Sequence, residues 1–560
     1  MLERRPLVVA LGLFAASLLV CGSRLSVPDV CGDDEAADAG VVWEMAENGH
    51  WLLPFFNGEM VPEKPPLFFW IAAGVSRLRG RVDEVSVREP SAVMAAITVA
   101  AVFLAGRHLV GASTALLASL ITLSSPMTLA RAQLGRVDMT LVACTTGAFF
   151  AAVFALAPSA RRWQRNVFWL LAALAVLVKA SAGLGLVICG TLAVAIADRK
   201  RLSHLATPEG IALFGLVAFG WYGFATWTLG RSFVAANLIG ENLKLFVGEA
   251  ARGRTASHGL RQMLNTPAIS LIGALVPWSL FAALDLRRWR AAREAGAKLA
   301  VAWAAAGLGF FTAADARHVY YVAPLVPPLA LFLASVLNAE RPAGAAPRCR
   351  AALLSLGATG CGLLLLRVWA AEDWGGLSAS DRLNLNALAA LWPAESRTAF
   401  VLIGALAASA IVFLGLTWRP RPAWILGALA ISLGAQGVMQ EALSAAVNAR
   451  FSLKEFSGTV GRVKGAVYFL GPVIPQIVYH SRRHIHSVSV EDLPATRPLH
   501  LITTEKRLAE ARERLTSPVH VLVTGEGRLG EIDSARVLLL AVDEGSVSLP
   551  ERGSVDGSRP

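Results

Sequence analysis

The chain has 560 residues, of which 55% are hydrophobic and 16% charged, and its mean hydropathy is +0.54. Soluble domains carry about 25% charged residues, so this composition excludes an ordinary cytosolic globular protein. The 52 Lys and Arg outnumber the 40 Asp and Glu and give a net charge of +12. These basic residues lie between long apolar runs and not on a polar surface, which argues against a nucleic-acid partner.

The apolar runs predict a polytopic α-helical membrane protein with about thirteen transmembrane helices, since a span needs roughly 20 mostly apolar residues. The runs lie near 6–22, 90–109, 113–130, 137–157, 167–182, 183–197, 210–229, 266–284, 298–314, 320–338, 350–370, 399–417 and 422–443. The first has no cleavage site after it and is predicted to remain as a span. The shorter run 66–78 is predicted to be an interfacial or re-entrant helix.

Basic residues cluster in alternate connections, as at 161–165, 199–201 and 287–298. The positive-inside rule places these connections in the cytoplasm. The N-terminus is therefore predicted to be cytoplasmic, and an odd number of spans places the C-terminus outside. The long exterior segments are then 23–89, 230–265 and the tail after about 445.

The tail differs in character from the transmembrane domain, which we assign to residues 1–444. Short β-type runs surround one helical stretch and predict a small exterior α/β domain over 445–553, followed by a disordered end at 554–560. The β-type runs are Gly465–Leu470, Gln476–Tyr479, Val519–Thr524 and Arg536–Val542, and the helical stretch is Glu505–Leu515. Four tail histidines (His480, His484, His486 and His500) are predicted to lie on a polar exterior surface, because no carboxylate or cysteine completes a metal-type spacing.

The first exterior loop opens with an acidic group, Asp33, Asp34 and Glu35, ahead of a predicted interfacial helix over 36–46. An acidic residue at a helix start caps the first turn and favours the positive end of the helix dipole. Capping does not exclude a catalytic carboxylate, so both readings stay open.

Three further charges are candidates for function. Lys64 stands between Glu63 and two prolines at the predicted membrane surface, where an exposed ion pair of little energetic worth is the alternative. Asp138 begins a span, and Lys179 lies among apolar residues. Ionisable groups at membrane depth are costly and indicate function, with snorkelling at a helix end as the alternative.

A spaced series of residues over about 1–340 resembles the bacterial aminoarabinose lipid A transferases. These enzymes belong, with the protein O-mannosyltransferases, to the GT-C membrane glycosyltransferases. The series comprises Asp34-Glu35, Glu44-Met45, Gly49-x-Trp51, Pro54, Asn57-Gly58, Glu63-Lys64-Pro65-Pro66, Asp138-Met139, Lys179, Glu241-Asn242, His258, Pro277-Trp278-Ser279-Leu280, Arg317-His318-x-Tyr320-Tyr321, Pro324 and Pro327-Pro328.

The resemblance implies a GT-C fold and the inverting transfer of a sugar from a polyprenyl-phosphate donor on the exterior face of the bacterial inner membrane. Asp34 matches the family's catalytic aspartate, with Glu35 beside it, and Asp138 would be a second carboxylate near the site. Lys64 and Lys179, with Arg317 as a further candidate, match positions proposed for the donor phosphate.

Cofactor and acceptor stay open at this stage. Glu63 and His258 match positions associated with a metal in the family, but two ligands make an incomplete site, so no cofactor is predicted and a divalent metal remains an alternative. The acceptor is a glycolipid of the lipid A type, a glycan or a protein, and membrane lipids surround the chain. A transporter or lipid flippase and a scaffold that displays the tail are the competing functions.

Overall fold

The structure is a computed structural model. It describes residues 2–61, 64–157, 159–197, 204–244, 267–279, 295–313, 319–338, 451–492, 499–511, 519–529 and 532–542, with scattered positions between 425 and 448. Four predicted segments lie wholly or mostly outside these residues: the spans at 350–370, 399–417 and 422–443, and the end at 554–560. The described residues form two compact units. The first unit takes in residues up to Pro28 and most of the chain from Val41 to position 444, and the second takes in Asp29–Gly40 and the chain from Asn448 on.

Helices account for most of the described chain up to residue 338. They are α1 (Pro6–Gly22), α2 (Asp33–Glu47), α3 (Leu67–Arg79), α4 (Glu84–Val110), α5 (Ala112–Ser124), α6 (Pro126–Ala132), α7 (Asp138–Ala155), α8 (Arg162–Ala197), α9 (Pro208–Phe214), α10 (Gly220–Leu229), α11 (Arg231–Phe233), α12 (Pro267–Ala274), α13 (Ala295–Ala313) and α14 (Val326–Asn338). Three segments have other helical geometries. A π-helix at Gly215–Phe219 joins α9 to α10, and a second at Val234–Lys244 follows α11. A 3-10 helix at Val319–Leu325 precedes α14.

Six of the described helical stretches are long and apolar enough to cross a membrane, or seven if the bent pair α5 and α6 is one span. The pair bends by 57°. Ser125 lies at the bend in an extended conformation and accepts a hydrogen bond from the Thr128 backbone, and Pro126 starts the next helix. A proline suits the first turn of a helix but cannot continue one, so the sequence itself sets this break.

The predicted spans 167–182 and 183–197 meet in one element, α8, which is interrupted at Lys179 and Ala180. Lys179 has φ −153° and ψ 54°, and Ala180 has φ +28° and ψ −114°. Such values are costly for an L-residue with a side chain and are held only where the surroundings enforce them. The break therefore places a lysine at a point where the helix cannot continue.

The helices of the first unit pack around a continuous apolar core. Trp303 of α13 stacks on Phe149 of α7 with ring centroids 3.9 Å apart. The fully buried Trp278 donates from Nε1 to Ser124 Oγ at 2.9 Å, so its one polar atom is satisfied inside the core. These contacts pack the helices that follow the first loop into one body.

The first loop folds into the helices α2 and α3 with a short hairpin between them. The hairpin pairs β1 (Phe55–Phe56) with β2 (Glu59–Met60). Asn57 and Gly58 have φ of 56° and 77°, the positive values that a two-residue hairpin turn of this kind requires. The predicted helices at 36–46 and 66–78 are confirmed.

The second unit contains a five-stranded sheet of order β4-β3-β5-β7-β6. Its elements are α15 (Lys454–Arg462), β3 (Ala466–Leu470), α16 (Pro475–Ser481), β4 (Ser487–Val488), β5 (Leu499–Thr504), α17 (Glu505–Ala511), β6 (Val519–Leu529) and β7 (Ile532–Val542). Strand β3 runs parallel to β4 and β5, and β7 runs antiparallel to β5 and β6. The strands β3, β6 and β7 lie where β-type runs predicted them.

Two predictions for the tail were wrong. Gln476–Tyr479 is helical, because Pro475 at the first helical position and the left-handed Arg482 after the helix delimit one short helix. The apolar, β-branched composition of this run had favoured a strand. His500 is not on a polar surface, since it is buried in the middle strand β5. Residues 29–40, which the sequence assigned to the transmembrane domain, group with the tail.

The turn after the α8 break yields a testable prediction. A methyl group at Gly183 would overlap the backbone carbonyl of Ala175. Gly183→Ala is expected to destabilise the protein by about 1–3 kcal/mol, because the overlapping atoms are backbone and cannot rotate away. Thermal unfolding in detergent measures the change.

Gly220→Ala is the matched control, because a methyl group there meets nothing within 4 Å. Equal unfolding midpoints for the two variants would contradict the close approach.

Candidate active site

Three basic residues of the first unit meet around one buried carboxylate, that of Asp138. Asp138 is 4% exposed. Lys179 Nζ lies 3.8 Å from its Oδ1, while Arg131 Nη1 and Arg136 Nε lie 3.7 and 4.0 Å from its Oδ2. We call these four residues the Asp138 cluster.

Helix ends bring the four residues of the cluster together. Asp138 is the first residue of α7, and Arg131 lies in the last turn of α6. Arg136 occupies the short connection between those helices, and Lys179 stands at the break in α8. Charged side chains at helix ends reach one point without interrupting an apolar helix face, which is how a membrane protein can group charges at low cost.

Two adjacent tyrosines line the same cluster. The Arg131 guanidinium lies 4.9 Å from the centre of the Tyr320 ring, and that of Arg136 lies 5.7 Å from it. Lys179 Nζ lies 4.4 Å from the centre of the Tyr321 ring. The face of an aromatic ring attracts a cation without accepting a hydrogen bond from it. The N–H groups of these cations therefore stay able to donate to another acceptor.

The ion pairs of the cluster are longer than hydrogen bonds. Asp138 Oδ2 and Arg131 Nε are buried and have no hydrogen-bond partner within the described residues. Among the four side chains, three cations share a single carboxylate. A site of this kind can take an additional anion, because preorganised positive groups in a water-poor place stabilise negative charge well.

A second buried carboxylate, Glu44 of α2, organises the first loop. It is 0% exposed and accepts hydrogen bonds from Asn48 Nδ2 and from the Gly58 backbone, both at 2.8 Å. His50 Nδ1 lies 3.3 Å from the same carboxylate. Glu44 thereby ties the end of α2 to the hairpin turn.

Two indoles fix the loop between α2 and the hairpin. Trp70 of α3 donates to the carbonyl of Trp51 at 2.5 Å, and Trp221 of α10 donates to that of Leu52 at 2.8 Å. In the structure the Trp51 ring faces the Arg77 guanidinium at 5.7 Å.

Arg88 is a buried residue that the sequence reasoning missed. It is 0% exposed in α4 and donates from Nη1 to the carbonyls of Leu25 and Pro28 at 2.9 and 2.5 Å. It thus holds the chain where it leaves α1. The sequence shows Arg88 as an arginine just before an apolar run that was predicted to begin at residue 90. Because α4 begins at Glu84, Arg88 lies inside the helix.

The structure brings together two of the residues proposed from sequence, Asp138 and Lys179. Asp34 is exposed and Glu35 buried in the first turn of α2, and Lys64 is half-buried ahead of α3. Arg317, Glu63 and His258 lie outside the described residues.

Arg131 and Arg136 join the cluster although neither was proposed from sequence. The sequence feature that could have indicated them is the grouping of three charged residues, Arg131, Arg136 and Asp138, within eight positions where one apolar run ends and the next begins. Within the described part of the chain, no three His, Cys, Asp or Glu residues are close enough to hold a metal ion.

Known proteins resemble part of the chain in sequence. Residues 63–222 match the family described as dolichyl-phosphate-mannose-protein mannosyltransferase. The undecaprenyl phosphate-alpha-4-amino-4-deoxy-L-arabinose arabinosyl transferase 1 of Sodalis glossinidius is 28% identical over 317 residues, which are 54% of this chain and 54% of the relative. The transferase of the same description from Shewanella sediminis is 26% identical over 320 residues, covering 55% of this chain and 56% of the relative. The chain thus spans about half the length of the curated relatives that it matches.

Solved structures match over nearly the whole chain. The crystal structure of ArnT from Cupriavidus metallidurans bound to undecaprenyl phosphate superimposes with a TM-score of 0.76, covering 98% of this chain and 100% of that one at 18% identity. Its apo state gives a TM-score of 0.72. The chain therefore has the polytopic helical fold of that protein and is an integral membrane protein. The resemblance stated from the sequence is confirmed, while the count of thirteen spans stays a prediction.

The cluster yields a prediction about stability. Asp138→Ala would leave Lys179, Arg131 and Arg136 facing one another without the carboxylate. Removing one partner of a buried ion pair typically costs about 3–5 kcal/mol, and thermal unfolding in detergent measures the change. Adding Lys179→Met to that variant should cost less than the two single changes together, by a coupling energy of about 0.5–3 kcal/mol.

Glu209→Ala is the control, because it breaks an exposed ion pair with Arg162 that has a similar distance, 3.8 Å. Exposed pairs contribute at most about 1 kcal/mol. An Asp138→Ala protein as stable as the Glu209→Ala protein would refute the energetic role of the cluster.

Proposed function

We propose that the protein is a glycosyltransferase that moves a sugar from a polyprenyl-phosphate donor to a hydroxyl or phosphate acceptor, with inversion. The acceptor is a glycolipid of the lipid A type, a glycan or a protein. The reaction takes place on the exterior face of the bacterial inner membrane, with the N-terminus in the cytoplasm and residues 445–553 forming an exterior domain.

The Asp138 cluster is the observation that carries the proposal. A polyprenyl phosphate is a good leaving group and needs cations more than it needs a general acid. Lys179, Arg131 and Arg136 supply positive charge beside two aromatic rings, which suits a phosphate that gains charge as the glycosidic bond breaks. The fold is also shared with a transferase crystallised with undecaprenyl phosphate.

The residues divide the work as follows. The acceptor oxygen attacks the anomeric carbon, and the bond from that carbon to the donor phosphate breaks with its electron pair leaving on the phosphate. Asp34 takes the proton of a hydroxyl acceptor or orients it, with Glu35 next to it. Lys64, Lys179 and Arg317 bind the donor phosphate, and Asp138 keeps the cations of its cluster in place. Asp34, Glu35, Lys64 and Arg317 have these roles by resemblance to the family.

No reaction step is assigned to a metal. Glu63 and His258 are the family-matched positions, and as a pair they supply too few ligands for a complete site. A transporter or flippase is not favoured, because the relatives and the shared fold are those of transferases.

The role of Asp34 predicts a loss of transfer. Asp34→Asn is expected to lower the rate by about 10²–10⁴, the usual contribution of a positioned acid or base. The measurement uses reconstituted protein, radiolabelled lipid-linked sugar and an envelope extract as acceptor. Glu47→Gln removes an exposed carboxylate from the same helix and should leave the rate unchanged.

Undiminished transfer by the Asp34→Asn protein would contradict the assignment of Asp34. Movement of the intact donor across the bilayer, without a change in its covalent attachment, would contradict the proposed function itself.

The cluster predicts donor affinity. Lys179→Met and Arg131→Met should each weaken the binding of undecaprenyl phosphate about tenfold or more, since a hydrogen bond to a charged group contributes roughly 1.5–3 kcal/mol. Tryptophan fluorescence titration in detergent measures the dissociation constant. Arg162→Met, which removes an exposed arginine, is the control, and equal affinities for all three variants would refute the phosphate-binding role.

A further inference from the structure

The segment that carries Asp34 is part of the second unit. Asp29, at its start, is held at three points. Its backbone N–H donates to Asn448 Oδ1 at 2.8 Å, and its carboxylate accepts from Ser452 Oγ at 2.8 Å and from Lys454 Nζ at 3.0 Å. All three partners belong to the chain just before and at the start of α15.

The next two residues are held by α16. Gln476 donates from Nε2 to the carbonyl of Cys31, and His480 Nε2 lies 3.1 Å from the carbonyl of Val30. The other end of the Gln476 amide accepts from the Leu453 backbone at 3.4 Å. One side chain therefore bridges the tail domain and the first-loop segment.

The residues joined by the Gln476 side chain are buried. Gln476 and Val30 are 0% exposed, and Cys31 is 3% exposed. A buried amide that uses both its donor and its acceptor specifies one geometry, because any displacement leaves polar groups unpaired. The segment cannot shift along α16 without that cost.

Helix α2 begins directly after the held residues. The Ala36 backbone donates to the carbonyl of Gly32 at 2.8 Å, which closes the first turn around Asp34. Ala36 and Ala39 are 0% exposed, whereas Asp34 is exposed. The carboxylate thus projects from a turn whose opposite side is packed.

The ion pair of Asp29 persists at neutral pH. Burial alone would raise the pKa of Asp29, but hydrogen bonds from Ser452 and Lys454 and the charges of Lys454 and His480 hold it below its ordinary value of 3.8. A carboxyl with a lowered pKa in the folded state stabilises that state above the unfolded pKa, and this contribution is lost as the pH falls through the folded pKa. Asp29 is therefore ionised at neutral pH, where its ion pair with Lys454 stabilises the folded state.

We propose that the C-terminal unit positions the acceptor-activating carboxylate: Gln476, aided by Lys454 through Asp29, holds the segment 29–40 so that Asp34 stands in one place. Gln476 and Lys454 are positioning residues and do not touch the reacting atoms. This inference rests on the proposed role of Asp34. It gives the tail domain a part in transfer and opposes the reading in which the rest of the chain only displays it.

The test replaces Gln476 with leucine in the full chain. Gln476→Leu keeps the volume and removes the donor to Cys31. Transfer kcat should fall at least about tenfold, because displacement of a catalytic group by about 1 Å can cost up to 10² in rate. The KM for the lipid-linked donor should stay within about twofold, since the cations assigned to the phosphate lie elsewhere. Amide hydrogen exchange of peptides covering 29–40 should speed up at least about tenfold.

Two further variants separate positioning from general stability. Thr503→Val removes a buried hydrogen bond to Leu470, 3.1 Å long, within the sheet of the same unit. It should lower the unfolding midpoint without changing kcat or the exchange of 29–40. Lys454→Met removes a half-exposed partner of Asp29 and should fold even if Gln476→Leu does not, with a two- to fivefold loss of kcat and faster exchange at 29–40.

The outcomes discriminate clearly. Unchanged exchange at 29–40 in the Gln476→Leu and Lys454→Met proteins would overturn the inference whatever the activity. An equal loss of kcat in Thr503→Val and Gln476→Leu at equal loss of stability would also overturn it. If the wild-type protein transfers no sugar, the proposed function fails, while the exchange data still decide whether the tail holds this segment.

Discussion

The buried carboxylate of Asp138 is the point on which the charged side chains at the helix ends of the first unit converge. It lies where the end of α6, the start of α7 and the break in α8 meet, and three cations approach it within 4.0 Å. A charge at membrane depth is costly unless it is paired, so the helices that supply Arg131, Arg136 and Lys179 must end or break at this point. The break in α8 places Lys179 at this point, whereas the bend between α5 and α6 is set by Ser125 and Pro126.

The helical break has a cost of its own. Ala180 takes a positive φ without being glycine, and such backbone conformations cost of order 1–3 kcal/mol and concentrate at functional sites. A continuous helix would relieve the strain but would carry the Lys179 side chain away from Asp138. The strained backbone at the break is thus accompanied by the placement of Lys179 beside the Asp138 carboxylate and the Tyr321 ring.

Much of this fold could be predicted from sequence, because a helix that crosses a bilayer needs about 20 mostly apolar residues. Length and hydropathy were enough to predict the helices near 137–157 and 298–314. Helix α1 occupies the predicted residues 6–22. Asp138 and Lys179 were visible as isolated charges in apolar surroundings. Arg131 and Arg136 were not proposed, since an arginine flanking a span is usually a topology signal, and only the fold shows that the two guanidiniums turn to the same carboxylate. The helix at Pro475–Ser481 was missed because its short apolar run suits a strand equally well, and only the cap geometry at its two ends decides between them.

Long-range polar contacts are the part that no sequence pattern could supply. Gln476 lies 445 positions from Cys31, and a glutamine in a tail domain has no feature that marks it as a partner of a membrane-proximal loop. Its burial is nonetheless informative, because an amide is removed from water only where its hydrogen bonds are replaced. Asp34 is exposed, whereas Glu35 and Ala36 beside it are buried, so the segment is held from the side opposite the Asp34 carboxylate. The carbonyls of Cys31 and Val30, three and four residues before Asp34, hold the segment without covering that carboxylate. These contacts account for the grouping of residues 29–40 with the distant tail.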